Sequence, residues 1–224
     1  MRKQIPILLA ALAFCLVLAG ILSFAQAPPK PIFENVRVHA SCEEDVQHGG
    51  YRYTYAVTNP AENTISLWDI NLPLGVEVWE VAALFGPLHW SKDTWGREFS
   101  PNPEDGLLPP SVSWNASDDP FLLLPGGTVA PLGYSVPVPP TVREAWIYAW
   151  LEPWFIAYRQ AAGEDYDDPA GLKREYIRKI PTLAPLPVPP GTFEHWDVFL
   201  SDVAKAGELG WVSDAGLLAG IREN

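Results

Sequence analysis

Basic residues are scarce: 15 Lys and Arg stand against 27 Asp and Glu, the formal net charge is −12, and charged residues make up only 19% of the chain's 224 residues. A surface that tracks nucleic-acid phosphates needs clustered Lys and Arg, so a nucleic-acid partner is excluded. Cysteine is nearly absent, with only Cys15 and Cys42. A disulfide scaffold is therefore excluded as well, and the fold must rest on its core. Also missing are H-E-x-x-H, C-x-x-C, a P-loop, a dinucleotide glycine motif and G-x-S-x-G. His39, His48, His89 and His195 lie too far apart in sequence to form a close metal-ligand pair. No cofactor is expected. What the chain does have is 48% hydrophobic and 12% aromatic residues, which excludes long disorder and is enough to bury a core.

The N-terminus reads as an export signal. Arg2 and Lys3 precede an apolar run from Ile5 to Phe24, and Ala25-Gln26-Ala27 supplies the small-x-small cut site, so residues 1–27 are expected to be a secretory signal peptide. The alternative is an uncleaved anchor, because about 20 apolar residues just span a bilayer. Cys15 lies inside the apolar run, not at a cut site behind a small residue, which disfavours lipid attachment. The expected location is periplasmic or extracellular, with no stable membrane insertion after cleavage. Cleavage removes two basic residues, leaving 13 against 27 acidic ones and a net charge of −14, with Cys42 the remaining cysteine. Glu43, Glu44 and Asp45 follow Cys42, and their field disfavours a thiolate nucleophile.

From residue 31 to residue 190, proline and glycine separate short apolar runs, the pattern of an all-β domain. The clearest strand is Tyr51 to Thr58, where Tyr51, Tyr53, Tyr55 and Val57 share one face by the period of two. Ile65–Leu72 and Val76–Leu84 extend it as a meander or one edge of a sandwich. Val112–Trp114, Phe121–Leu124 and Val129–Val136 add strands, the last two separated by the turn Pro125-Gly126-Gly127. Thr141–Leu151 carries a helical capping box at Thr141 and Glu144 and helical spacing, but Trp146, Ile147, Tyr148 and the flanking Trp154–Ile156 favour strand, and the balance leans to strand with Pro153 as a helix stop. Leu172–Leu183 reads as another strand, and Pro185–Pro190 as a stiff extended linker. From residue 191 to residue 224 the period changes to three and four. Phe193, Trp196, Phe199, Leu200 and Val203 recur along a helix capped by Thr192 and closed by Gly210, and a short second arm begins at Ser213. The expected fold is mainly β: an antiparallel β-sandwich with a small C-terminal α-helical hairpin.

Tyr51-Arg52-Tyr53-Thr54-Tyr55-Ala56-Val57-Thr58-Asn59, Val112-Ser113-Trp114, Leu124-Pro125-Gly126-Gly127 and Gly133-Tyr134-Ser135 resemble the β-sandwich module of a group of secreted bacterial proteins, one similar to that of some surface-sorted exoproteins. Leu209-Gly210-Trp211-Val212-Ser213-Asp214-Ala215-Gly216 resembles the hinge of the helical hairpin at the ends of such exoproteins. The resemblance implies a secreted, noncatalytic module of the cell envelope, and it carries no known site.

Three function classes follow: an interaction module, a carbohydrate binder and a hydrolase whose residues converge from distant loops. As an interaction module, the chain would meet an envelope or extracellular protein through the helical seam of Phe193, Trp196 and Phe199. As a glycan binder, it would stack sugar rings on exposed indoles at Trp90, Trp95 and Trp114, with Asp93 or Asn115 hydrogen-bonding nearby; the competing role for these residues is core packing. The acidic run holding Glu164, Asp165, Asp167 and Asp168 has oxygen ligands for calcium, but consecutive rather than wrapped around an ion, so a solvated loop is the simpler reading.

Overall fold

A computed structural model of the protein describes residues 28–96, 98–99, 107–162, 175–187 and 191–211. The signal segment 1–27, the acidic run 164–168, the end of the proline stretch and the second helical arm lie outside the described residues. Residues 32–150 and 176–211 belong to one compact unit; residues 28–31, 151–162 and 175 belong to another.

The larger unit is a β-sandwich of two antiparallel sheets. One sheet has the order β1-β2-β9-β4, from Arg37–Asp45, Gly50–Thr58, Thr128–Val136 and Ala83–Phe85. The other has the order β11-β10-β3-β8-β5, from Ile177–Pro185, Pro140–Ala149, Leu67–Pro73, Ser111–Ala116 and Trp90–Trp95. The short pair β6 and β7, Glu98–Phe99 and Leu107–Leu108, stands apart from both.

The alternation in β2 does what its period predicts. Tyr53, Tyr55 and Val57 are buried, and Tyr134 from β9 and Trp114 from β8 join them. Tyr53 stacks on Tyr134 at 5.4 Å between ring centroids, and Tyr134 on Trp114 at 6.2 Å. Aromatic rings bury much apolar area, and their polar tips need partners. Here the partners lie across the sandwich: the Tyr55 hydroxyl donates to the Leu183 carbonyl of β11 at 2.9 Å, and the Trp114 indole N–H to the Phe85 carbonyl of β4 at 3.0 Å. Tyr134 then donates to Tyr55 at 3.1 Å. Gly133 is required beside this cluster, since a β-carbon there would collide with the Phe85 ring and the Tyr53 carbonyl.

At one end, the fully buried Asn59 holds two loops together. Its amide donates to the Ile65 and Leu123 carbonyls, both at 3.0 Å, and its side-chain oxygen accepts from Asn63 at 2.8 Å. Gly126, at φ +81°, makes the adjoining turn and donates its N–H to the Asn59 carbonyl.

Several elements differ from the sequence reading. Val76–Leu84 is a 3-10 turn at Val78–Glu80 followed by the short β4, because Glu80 reaches back to accept the Glu77 N–H at 3.0 Å and starts a turn. Phe121–Leu124 is no strand either. Asp119–Phe121 is a 3-10 turn with Pro120 lacking a donor, and an isolated bridge between Leu67 and Leu123 follows. β2 and β3 lie in different sheets rather than in a meander. Pro153 begins a helix instead of stopping one. It is the second residue of α1 (Glu152–Ala162), where its missing N–H costs nothing, and Trp154–Ile156 are helical. The proline stretch is not wholly a linker, since β11 runs through Pro185, and Ala184, Pro185 and Leu186 are buried.

The C-terminal helix α2 (Phe193–Glu208) has Thr192 as its N-cap, accepting the His195 N–H at 3.1 Å. Its link to the sandwich is polar. Asp202 accepts the Val142 N–H at 3.1 Å and the Thr141 hydroxyl, both at the start of β10.

Asn59→Ala should lower stability by roughly 3 kcal/mol, because two buried carbonyls and the Asn63 amide lose their partner at once. Chemical denaturation of the variant against the parent measures it, and a loss within about 0.5 kcal/mol, the usual range for surface changes, would show that the loops do not depend on this side chain.

Candidate functional site

The inner face of the five-stranded sheet is apolar, with Ile70, Leu72, Val112, Trp114, Ala145 and Ile147 buried. Period two then sends the intervening residues outward, and cross-strand pairing sets them side by side. One outward row runs Tyr148, Asp69, Asn115, Ser91 across β10, β3, β8 and β5. The next runs Lys179, Trp146, Asn71, Ser113, Asp93 across all five strands. On this face lies a groove of about 650 Å³, within the range of ligand sites. Aromatic walls come from Trp68, Trp95, Trp146 and Tyr148, and polar groups from Asp69, Asn71, Ser113, Asn115 and Glu144. Lys205 reaches it from α2, one helical turn beyond the Asp202 anchor.

The aromatic rings are held in place. Trp95 is 46% exposed, and its indole N–H donates to the Ser113 hydroxyl at 2.9 Å, which draws the ring over the neighbouring strand. Asn115 donates to the same hydroxyl at 3.1 Å. Lys179 sits 4.5 Å from the centroid of Trp146 and occupies part of its π-face. Trp68 packs at a tilt on Trp150, 5.7 Å between centroids.

Asp69 is the anomaly among the polar groups. Its Oδ1 is closed to solvent and has no hydrogen-bond partner among the described residues. Burial pushes its carboxyl up from 3.8 to about 7, against the help of the Ile70 N–H and with a further push from the Asp93 charge. A rise of that size corresponds to about 4 kcal/mol against ionisation, more than a single neutral hydrogen bond returns.

Of the expected platforms, only Trp95 reaches the groove. Trp114 is fully buried with its N–H on Phe85, and Trp90 is buried too, so neither indole face is open to a ligand. Asp93 lies on the outward face of β5, in the row of Ser113. Phe193, Trp196 and Phe199 lie on α2 and are exposed, Phe193 to 92%. Nothing among the described residues buries that seam. Glu164, Asp165, Asp167 and Asp168 lie outside the described residues, within which no group of three or more His, Cys, Asp or Glu is placed to hold a metal ion. Trp68, Asp69, Asn71, Trp146 and Tyr148 were missed because their convergence depends on pairing between distant segments. Their one local signal is the alternation of Asp69 and Asn71 with Ile70 and Leu72.

A second cluster surrounds the buried Asp45. Its Oδ2 accepts the Ser135 hydroxyl at 2.5 Å, with His48 Nδ1 at 2.9 Å and Arg52 at 3.4 Å. The serine and then the histidine hold the Asp45 carboxyl well below the usual carboxylate range. The residue types are those of a hydrolytic triad, but both serine and histidine bond the same carboxylate, so the serine proton does not pass to an imidazole base. The cluster instead pins the β1–β2 turn, where Gly49 donates to the Asp45 carbonyl at 2.8 Å. Cys42 on β1 is half-buried, and burial raises its thiol, which keeps it protonated.

No family model, curated protein or solved structure matches the chain. Among the described residues, no helix is long and apolar enough to cross a membrane.

The raised Asp69 carboxyl makes a signed prediction. Between the ordinary value near 4 and about 7 the folded protein holds a proton that the unfolded chain has lost, so ionising Asp69 erodes stability as pH rises through that window. The difference in melting temperature between Asp69→Asn and the parent should therefore grow in the variant's favour from pH 4 to pH 7 and level above it. A difference that stays constant with pH would show that Asp69 titrates normally.

Proposed function

We propose that the protein is an exported, noncatalytic binding module of the bacterial cell envelope, and that its ligand is a glycan seated in the groove of the five-stranded sheet. The arrangement of the groove carries this reading. Oriented indoles at Trp95 and Trp146 offer flat apolar surface, while Asn71, Asn115 and Ser113 stand between them with hydrogen-bonding capacity. Sugar rings combine apolar C–H faces with hydroxyls at their edges, and that combination matches such a lining. The residues 1–27 support export, and the likeness to secreted sandwich modules agrees with binding rather than turnover.

The backbone spacing of the acidic residues suits binding better than hydrolysis. A glycosidase pair lies about 5 to 9.5 Å apart. Tyr148 pairs with Asp69, so Glu144, four residues back along β10, is offset by about 13 Å of strand. Asp93 is two strands from Asp69 and one row along, about 12 Å away by strand spacings.

Calorimetry with neutral hexasaccharides of β-1,4-linked glucose, xylose and mannose tests the proposal. At least one should bind, and Trp95→Ala should weaken it by about tenfold, the equivalent of losing one ring-stacking contact. Absence of binding to all three, or binding that Trp95→Ala and Trp146→Ala both leave unchanged, would overturn it.

A further inference from the structure

Asp69 lines one end of the groove, on the middle strand of the sheet, with Tyr148 across one side and Asn115 across the other. It is a carboxyl placed among aromatic side chains with one oxygen shut off from water and bonded to nothing among the described residues. A carboxylate has about four acceptor positions, and the Ile70 N–H uses one of them. A buried acceptor left empty is costly, so the site is incomplete until a donor enters. Asp69 lines the groove, so a donor delivered there is delivered to this carboxyl. None of the surrounding side chains fills that role. The charged and titratable groups around it are Asp93 from β5, Arg143, Glu144 and Tyr148 from β10, Lys179 from β11 and Lys205 from α2. Of these, Asp93 acts on Asp69, and it repels the ionised form.

We infer that Asp69 is the specificity-determining residue of the groove: its carboxylate accepts hydroxyl hydrogens from an uncharged glycan, and ligand binding drives its proton into solution. The inference rests on the glycan-binding reading above. Hydroxyl donors stabilise the charged form that the empty groove disfavours, so the ligand prefers the ionised protein. Linkage fixes the direction: affinity rises with pH through the titration of Asp69 and levels once the carboxyl is ionised in the free protein. Beside Asp69 a ligand's own carboxylate is disfavoured, because Asp69 and Asp93 repel it, while Arg143 and Lys205 offset that field farther along the groove.

The test is calorimetry of the chain with the hexasaccharide that binds best, from pH 5.5 to pH 8.5. At pH 6.5 it is repeated in two buffers of different ionisation enthalpy, and hexagalacturonate serves as the acidic control. The parent should gain about tenfold in affinity across the range, with fractional proton release at pH 6.5. Asp69→Asn should bind more weakly at pH 8.5 with an affinity that no longer varies with pH. Asp93→Asn, at an exposed position on an edge strand, should keep the profile but move its midpoint to lower pH, which separates titration of Asp69 from misfolding of the first variant. Neutral glycan binding that is flat with pH, that weakens as pH rises, or that hexagalacturonate matches would overturn the inference and leave the glycan reading standing. Failure of every glycan to bind at every pH would overturn both.

Discussion

The sandwich depends on an aromatic cluster two of whose polar tips are satisfied across the gap between its sheets. Tyr55 and Tyr134 belong to one sheet and Trp114 to the other, yet the Tyr55 hydroxyl ends on the Leu183 carbonyl and the Trp114 indole on the Phe85 carbonyl. Burial alone would let the sheets slide over one another, since the hydrophobic effect has no direction. These bonds do have direction, and leaving any of them unmade would strand a buried polar group. Burial also drives the Tyr55 and Tyr134 hydroxyls well above their ordinary titration range, so they remain donors under any condition in which the protein folds.

This internal constraint shapes the external face. With Trp114, Ile70 and Ile147 committed inward, the period of two commits Asn115, Ser113, Asp69, Asn71, Trp146 and Tyr148 outward. The groove is thus the reverse side of the core. Because its residues stand on paired strands rather than on loops, their spacing is fixed before any ligand arrives, which limits the ordering cost of binding. Two contributions come from outside the sheet: Pro109, just before β8, and α2, where Asp202 anchors the helix to the start of β10 and Lys205 reaches the groove.

Much of the sandwich was legible in the residues. Tyr51 to Thr58 alternates cleanly, Val129–Val136 reads as a strand, and Thr141–Leu151, with signals for both helix and strand, leans to the strand that the structure forms over Pro140–Ala149. The edge strand β5 was not legible, since Trp90–Trp95 is largely solvent-facing, whereas the missed β1 does carry a signal, Val38, Ala40 and Cys42 alternating with Arg37, His39 and Ser41. Nor does local sequence reveal which of two faces a tryptophan takes. Trp95 and Trp114 both sit in turn-rich segments, and only the pairing of Trp95 with Ser111 and of Trp114 with Ile70 turns one outward and the other inward. The groove was invisible for a related reason: Asp69 and Asn115 are neighbours in space through a register that no short window contains.

The central claim is that the outward face of the five-stranded sheet is the binding face. Chemical-shift mapping of the side-chain N–H groups, during titration with a neutral hexasaccharide, tests it directly. The account predicts that the Trp95 indole and the Asn71 and Asn115 amides shift together and saturably, while the Trp114 indole, bonded inside the core, stays still. Saturable shifts confined to the indoles of α2, or movement of Trp114 without Trp95, would contradict it.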